Sequence, residues 1–210
     1  GEGSHVLGVC QPCAHALAAV ALMAEDDNKA TPLSVTLMAG PVDTRINPSK
    51  VNNLATEKPI EWFESNLIST VPWRFAGAGR RVYPGFVQLL AFMSMNAERH
   101  WKSHLEMYEH MKNGEDEKAK FIADFYDEYF AVLDLTEEFY LETVNRVFQE
   151  HLLPKGLLEY RGRKVDPKAI RRTSLLTVEG ERDDICSIGQ TLAAHDLCKS
   201  IKPHRKRHHL

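Results

Sequence analysis

The chain has 210 residues, 43% hydrophobic and 26% charged, with 26 Lys and Arg against 29 Asp and Glu for a formal net charge of -3. That suffices for one well-cored domain with an inserted subdomain, and it excludes a disordered chain or a generally nucleic-acid-binding one. Four cysteines, at positions 10, 13, 186 and 198, make no dense disulfide framework. With no signal peptide or long apolar span, the sequence predicts a protein of the reducing cytoplasm with neither nucleic acid nor membrane as partner.

In chain order, "SHVLGV" (4–9) reads as a short buried strand, and "PCAHALAAVALMAE" (12–25) as a helix whose first turn accommodates Pro12. After a polar loop, "LSVTLMAGPVD" (33–43) reads as a second buried strand with a Gly-Pro stop. Strand, helix, strand at this spacing is a βαβ unit with parallel strands. From about residue 48 the pattern becomes helical, over 51–70 and 86–153. Phe121, Phe125, Tyr129 and Leu133 form one apolar stripe and Trp101, Leu105, Tyr108 and Met111 another, and both read mainly as helical core. "LEYRGRKVDP" (158–167) predicts a hairpin, 169–185 a strand and acidic loop, "GQTLAAHDLCKSIK" a helix, and "HRKRHHL" a last strand. The predicted organisation is an α/β core over 1–47 and 157–210, interrupted by an all-helical block over 48–156.

The front of the chain, "HVLGVCQPC", holds a Cys-x-x-Cys pair between strand and helix. A thioredoxin-type site has this placement, since a helix N-terminus lowers a thiol pKa, yet about a hundred helical residues and an acidic loop near the far end do not suit so small a redox domain. A structural zinc site wants a second close-spaced pair, which Cys186 and Cys198 do not make. No metal or cofactor is therefore expected. A third reading takes Gly8-Val9-Cys10-Gln11-Pro12 as a nucleophile turn of the G-x-S-x-G kind, with Pro12 where glycine is usual. The small Gly8 permits the tight turn, Cys10 is the nucleophile, and the Gln11 backbone N–H is one oxyanion donor. Cys13, one turn into the helix, is a packing residue on this reading.

Such a nucleophile needs an acid after a later strand and then a histidine. "VEGERDDI" supplies Asp183, three after Gly180 and two before Ile185, with Asp184 as runner-up. His204, His208 and His209 fall on or beside the last strand itself, so the catalytic histidine is expected beyond Leu210. The chain opens on Gly1 and stops at "KRHHL" as if cut from something longer.

With these pieces placed, the sequence resembles the carboxy-terminal half to two-thirds of an intracellular polyhydroxyalkanoate depolymerase. The resemblance rests on "GVCQP", "GPVDTRINPSKVN", "KPIEWFE", "RRVYPGF", "FYDEYFAVLDLTEEFYLETV", "RVFQEHLLPKG" and "LLTVEGERDDICSIGQT". It implies an α/β-hydrolase fold, here with a partial parallel sheet lacking its first strands and final loop, and an inserted helical cap. It also implies an esterase with Cys10 as nucleophile, Asp183 as orienting acid and stored polyester granules in the cytoplasm as partner. Two alternatives are a polyhydroxyalkanoate synthase-like acyltransferase, whose turn usually ends in glycine, and a catalytically silent granule-binding protein.

Overall fold

A computed structural model describes residues 2–210. Among them β1 (His5–Val9) leads through a sharp turn into α1 (Cys13–Glu25) and on to β2 (Ser34–Met38). Helix α1 presents Cys13, Ala14, Leu17, Val20 and Ala21 to the core, the one-sided spacing of a helix lying on a sheet. Strand β2 ends at Met38, two residues before the expected stop at Gly40-Pro41, because Ala39 takes a left-handed conformation (φ 46°) that no strand can continue through.

The helical stretches are shorter than their periodicity suggests. The run expected over 51–70 divides into α2 (Lys50–Glu57) and α3 (Ile60–Leu67) at Lys58-Pro59, since a residue before proline is driven out of the helical region. A three-stranded antiparallel sheet of β3 (Ser69–Thr70), β4 (Arg81–Tyr83) and β5 (Leu135–Thr136) brackets three helices: α4 (Gly85–Met95), α5 (Ala97–Lys112) and α6 (Asp116–Phe130). Asn96 separates the first two and Gly114, with φ 74°, lies between the last two. Helix α7 (Glu137–Thr143) runs into a π-helical turn at Val144–Gln149, and α8 (Leu152–Lys155) follows.

The hairpin reads as expected. Strands β6 (Glu159–Tyr160) and β7 (Arg163–Lys164) are joined by Arg161 and Gly162, both at positive φ as a tight two-residue hairpin turn demands. Then come β8 (Ser174–Val178), the short α9 (Ala194–Leu197) and β9 (Lys206–His209). The main sheet is all parallel in the order β1-β2-β8-β9. Its fully buried centre comprises Leu17 and Val20 of α1, Val35 and Leu37 of β2 and Leu175 of β8, with Val165, Ile170 and Ile201. The α/β pattern of the sequence is therefore present, and no helix among the described residues is long and apolar enough to cross a membrane.

The described residues form two compact units, one of 2–60 with 142–210 and one of 61–141. The boundaries fall inside the helical block expected over 48–156. Within the second unit, α5 and α6 bury His100, Ala119 and Tyr126, with His100 Nδ1 2.9 Å from the Tyr126 hydroxyl. Most of the two aromatic stripes does not form a core as expected: Trp101 is 69% exposed and Phe121 77%, because α5 and α6 meet through other faces, and Leu133, 81% exposed, lies beyond the end of α6.

Candidate active site

Parallel strands in register bring their carboxyl ends to one edge, where open α/β sheets place ligands. Val9, Met38, Val178 and His209 stand in one row across the sheet. One residue further on, the ladder continues through the backbone: Cys10 N–H donates to Met38 O at 2.8 Å, Ala39 N–H to Val178 O at 2.9 Å, and Glu179 N–H to His209 O at 3.0 Å. Cys10, Ala39 and Glu179 thus line the edge side by side.

Cys10 holds φ at 63°, a left-handed conformation that a side chain with a Cβ adopts only when its surroundings enforce it. The enforcement is visible on both sides. Its N–H is tied to β2, and its carbonyl accepts the Cys13 N–H at 3.1 Å, which turns the chain into α1. Gly8 was expected to make this turn possible, yet an added Cβ there would meet Cys13 Cα at 3.4 Å and Leu37 Cδ2 at 3.6 Å, near-ordinary contacts. The indispensable glycine is Gly40 on the neighbouring strand end. A Cβ on Gly40 would enter the Cys13 side chain and stand 2.6 Å from Cys10 O.

Of the four free cysteines, Cys10 is exposed and Cys13, Cys186 and Cys198 are buried. The protein packed around the Cys10 turn raises its thiol pKa above the usual value. The Gln11 backbone hydrogen bond opposes that shift and the negative charge of Asp183 adds to it. A lowering by the helix N-terminus does not prevail, so a nucleophilic role for this thiol needs a base. Cys13 donates to Gly8 O at 3.2 Å, and burial pushes its thiol up to about 11, the opposite of a reactive dithiol.

Asp183 lies in the loop after β8. Its Oδ1 accepts the Ile185 N–H at 2.8 Å and the Cys186 N–H at 3.0 Å, which fixes the carboxylate at the sheet edge. Its negative charge adds to the raised thiol pKa of both Cys10 and Cys186. Asp184, next in sequence, is exposed.

Of the terminal histidines, His208 is engaged by side chains of the sheet. His208 Nδ1 and His195 Nε2 each lie 3.0 Å from Thr177 Oγ1, and His208 Nε2 lies 3.8 Å from Glu179 Oε2. The expected position beyond Leu210 is not part of this chain. Among the described residues no group of three or more His, Cys, Asp or Glu side chains could hold a metal ion.

Sequence reasoning missed two polar assemblies here. One joins Glu179, Thr191 and Gly40. The other joins Asp43, whose carboxylate makes a paired contact with Arg45 at 2.7 and 2.8 Å, to Thr44, whose hydroxyl lies 3.1 Å from His151 Nδ1. His151 is buried and left-handed (φ 53°), and burial lowers its pKa. Its partner is 107 positions away, so no local pattern could have announced the pair.

Residues 39–210 match the family model described as PHB de-polymerase C-terminus. The match includes Asp183 and begins after Cys10. No curated protein matches the chain.

Proposed function

The chain belongs to the PHB de-polymerase C-terminal family, and from that membership we propose that it carries the nucleophile and acid of an α/β-hydrolase that cleaves ester bonds of stored poly-3-hydroxybutyrate. The observation that carries the reading is the strained Cys10 turn at the carboxyl edge of a parallel sheet, with the Asp183 charge acting on it.

In this mechanism a histidine removes the Cys10 proton as sulfur attacks the ester carbonyl carbon. The oxyanion so formed takes a hydrogen bond from the Gln11 N–H. Collapse breaks the carbon–oxygen bond, the departing hydroxyl end takes the proton back from the histidine, and an acyl-thioester remains on Cys10. Water, deprotonated by the same histidine, then attacks the thioester and releases the acid and the free thiol. Asp183 orients the histidine. That histidine is assigned to a position beyond Leu210, and β9, which ends at the same edge as β1, would deliver a following segment there. The raised thiol pKa supports the need for this base, because little thiolate is present without it.

The substrate offers methyl groups and ester carbonyls but no charge along its chain, so an apolar protein surface suits it. The exposed aromatic stripes of α5 and α6 supply such a surface. The reading is tested in the full-length protein with soluble hydroxybutyrate oligomers. Cys10→Ala is expected to abolish turnover and leave folding intact, and Asp183→Asn to slow it about 10⁴-fold, with Asp184→Asn costing far less. Retention of most of the rate by Cys10→Ala would overturn the assignment, and reversed sensitivities at 183 and 184 would move the acid by one residue.

A further inference from the structure

Glu179 follows β8 directly, and its side chain is sealed from solvent. Oε1 accepts the N–H groups of Thr191 at 2.7 Å and Leu192 at 2.9 Å, while Oε2 accepts that of Gly189 at 2.9 Å. Burying a carboxylate is costly unless donors surround it, so three backbone donors bind this one firmly to the 189–192 turn. That turn carries Thr191. Its hydroxyl donates to Gly40 O and accepts from Gly40 N, both at 2.9 Å.

Gly40 in turn is the floor on which the Cys10 turn rests, since not even a methyl group fits between it and Cys13. In the other direction along the chain, Glu179 precedes Gly180, whose carbonyl accepts the Asp183 N–H at 3.3 Å. One buried carboxylate therefore stands at the junction between the acid loop and the support of the nucleophile.

We propose that Glu179 and Thr191 are positioning residues for the ester hydrolysis: Glu179 locks the 189–192 turn, Thr191 locks Gly40, and Gly40 fixes where Cys10 stands relative to Asp183. Neither touches the reacting atoms. The inference rests on the reading of Cys10 as nucleophile and adds the device that holds it in place. Displacement of a reacting group by about 1 Å costs about 100-fold in rate, so loosening this chain of contacts is expected to act on turnover more than on substrate affinity.

The test uses the full-length protein and two readouts. Among the four cysteines of the chain Cys10 is the exposed one, so alkylation by iodoacetamide against pH, with Cys10→Ala as blank, follows its thiol without any ester. Thr191→Val keeps the shape and loses both hydrogen bonds. It is expected to lower kcat on soluble hydroxybutyrate oligomers about 100-fold with KM changed less than about twofold, and to move the alkylation midpoint. Thr191→Ser is expected to restore both, and Glu179→Gln to act in the same direction as Thr191→Val.

A fall in thermal stability with kcat and the alkylation midpoint unchanged would overturn the proposal, since that is what a merely structural role produces. Should Thr191→Val fail to fold, Glu179→Gln decides: a moved midpoint upholds the proposal and an unmoved one overturns it. If the wild type cleaves no oligomer while the midpoint moves in Thr191→Val and returns in Thr191→Ser, the hydrolytic reading fails and the positioning of Cys10 stands. If hydrolysis is present and indifferent to both residues, the positioning fails alone.

Discussion

A methyl group added at Gly8 and one added at Gly40 probe the two sides of the Cys10 turn very differently. At Gly8 the closest new contact is 3.4 Å, so Gly8→Ala is expected to change stability by about 1 kcal/mol or less and to keep turnover. At Gly40 the new atom would collide with the Cys13 side chain and crowd the Cys10 carbonyl. Gly40→Ala is therefore expected to cost about 3 kcal/mol and most of the activity, because either α1 or β2 must shift. Chemical denaturation and oligomer hydrolysis of the two variants measure the contrast, and equal effects would show that the turn does not rest on Gly40. The candidates legible in the sequence, Cys10 and Asp183, each stand beside a strand end that local pattern reveals. Gly40 and Thr191 meet across 151 positions, so their partnership exists only once the sheet is formed.

Elements were legible where a local rule governs them. The βαβ start and the hairpin over 158–167 follow from spacing and turn composition, whereas the run expected over 51–70 is broken at Pro59 by proline sterics that its helical periodicity masks. The function of a helix face was not legible, because an apolar stripe looks the same whether a partner helix or solvent meets it. On α5 the stripe of Trp101, Leu105, Tyr108 and Met111 is exposed, and on α6 so are Phe121 and Phe125. Under the proposed function these side chains meet polymer. Trp101→Glu and Phe121→Glu are then expected to weaken degradation of granules about tenfold or more and to leave the rate on soluble oligomers within about twofold, since exposed positions contribute little to folding. Granule turbidity and oligomer titration, run side by side, measure the two. Equal loss on both substrates would show that the stripe serves stability instead.

At the scale of the whole molecule, the change in periodicity predicts a helical segment over 48–156 between two α/β parts, while the described residues divide into compact units at 60/61 and 141/142. Helix α2 and the π-helical turn look like the rest of the helical block in sequence, yet they pack in the first unit, where Gln149 Nε2 donates to the carbonyls of Ala55 and Lys58 at 2.8 Å. That first unit also contains all three buried thiols, which gives it a characteristic response to alkali. Burial pushes Cys13 up to about 11 and Cys186 and Cys198 up to about 12, against an ordinary value of 9.0. The unfolded chain therefore releases these protons at lower pH than the folded one, and between those values the folded state binds more protons. Stability must then fall as pH rises. The thiol contribution is fully present below about pH 9 and is lost progressively toward pH 11 to 12. Cys198→Ala, at a fully buried site, removes one of the three titrating groups. Its urea midpoint is expected to lie below that of the wild type near neutrality and to fall less steeply between pH 9 and 11, whereas parallel slopes would show that the thiol carries no part of the alkaline loss.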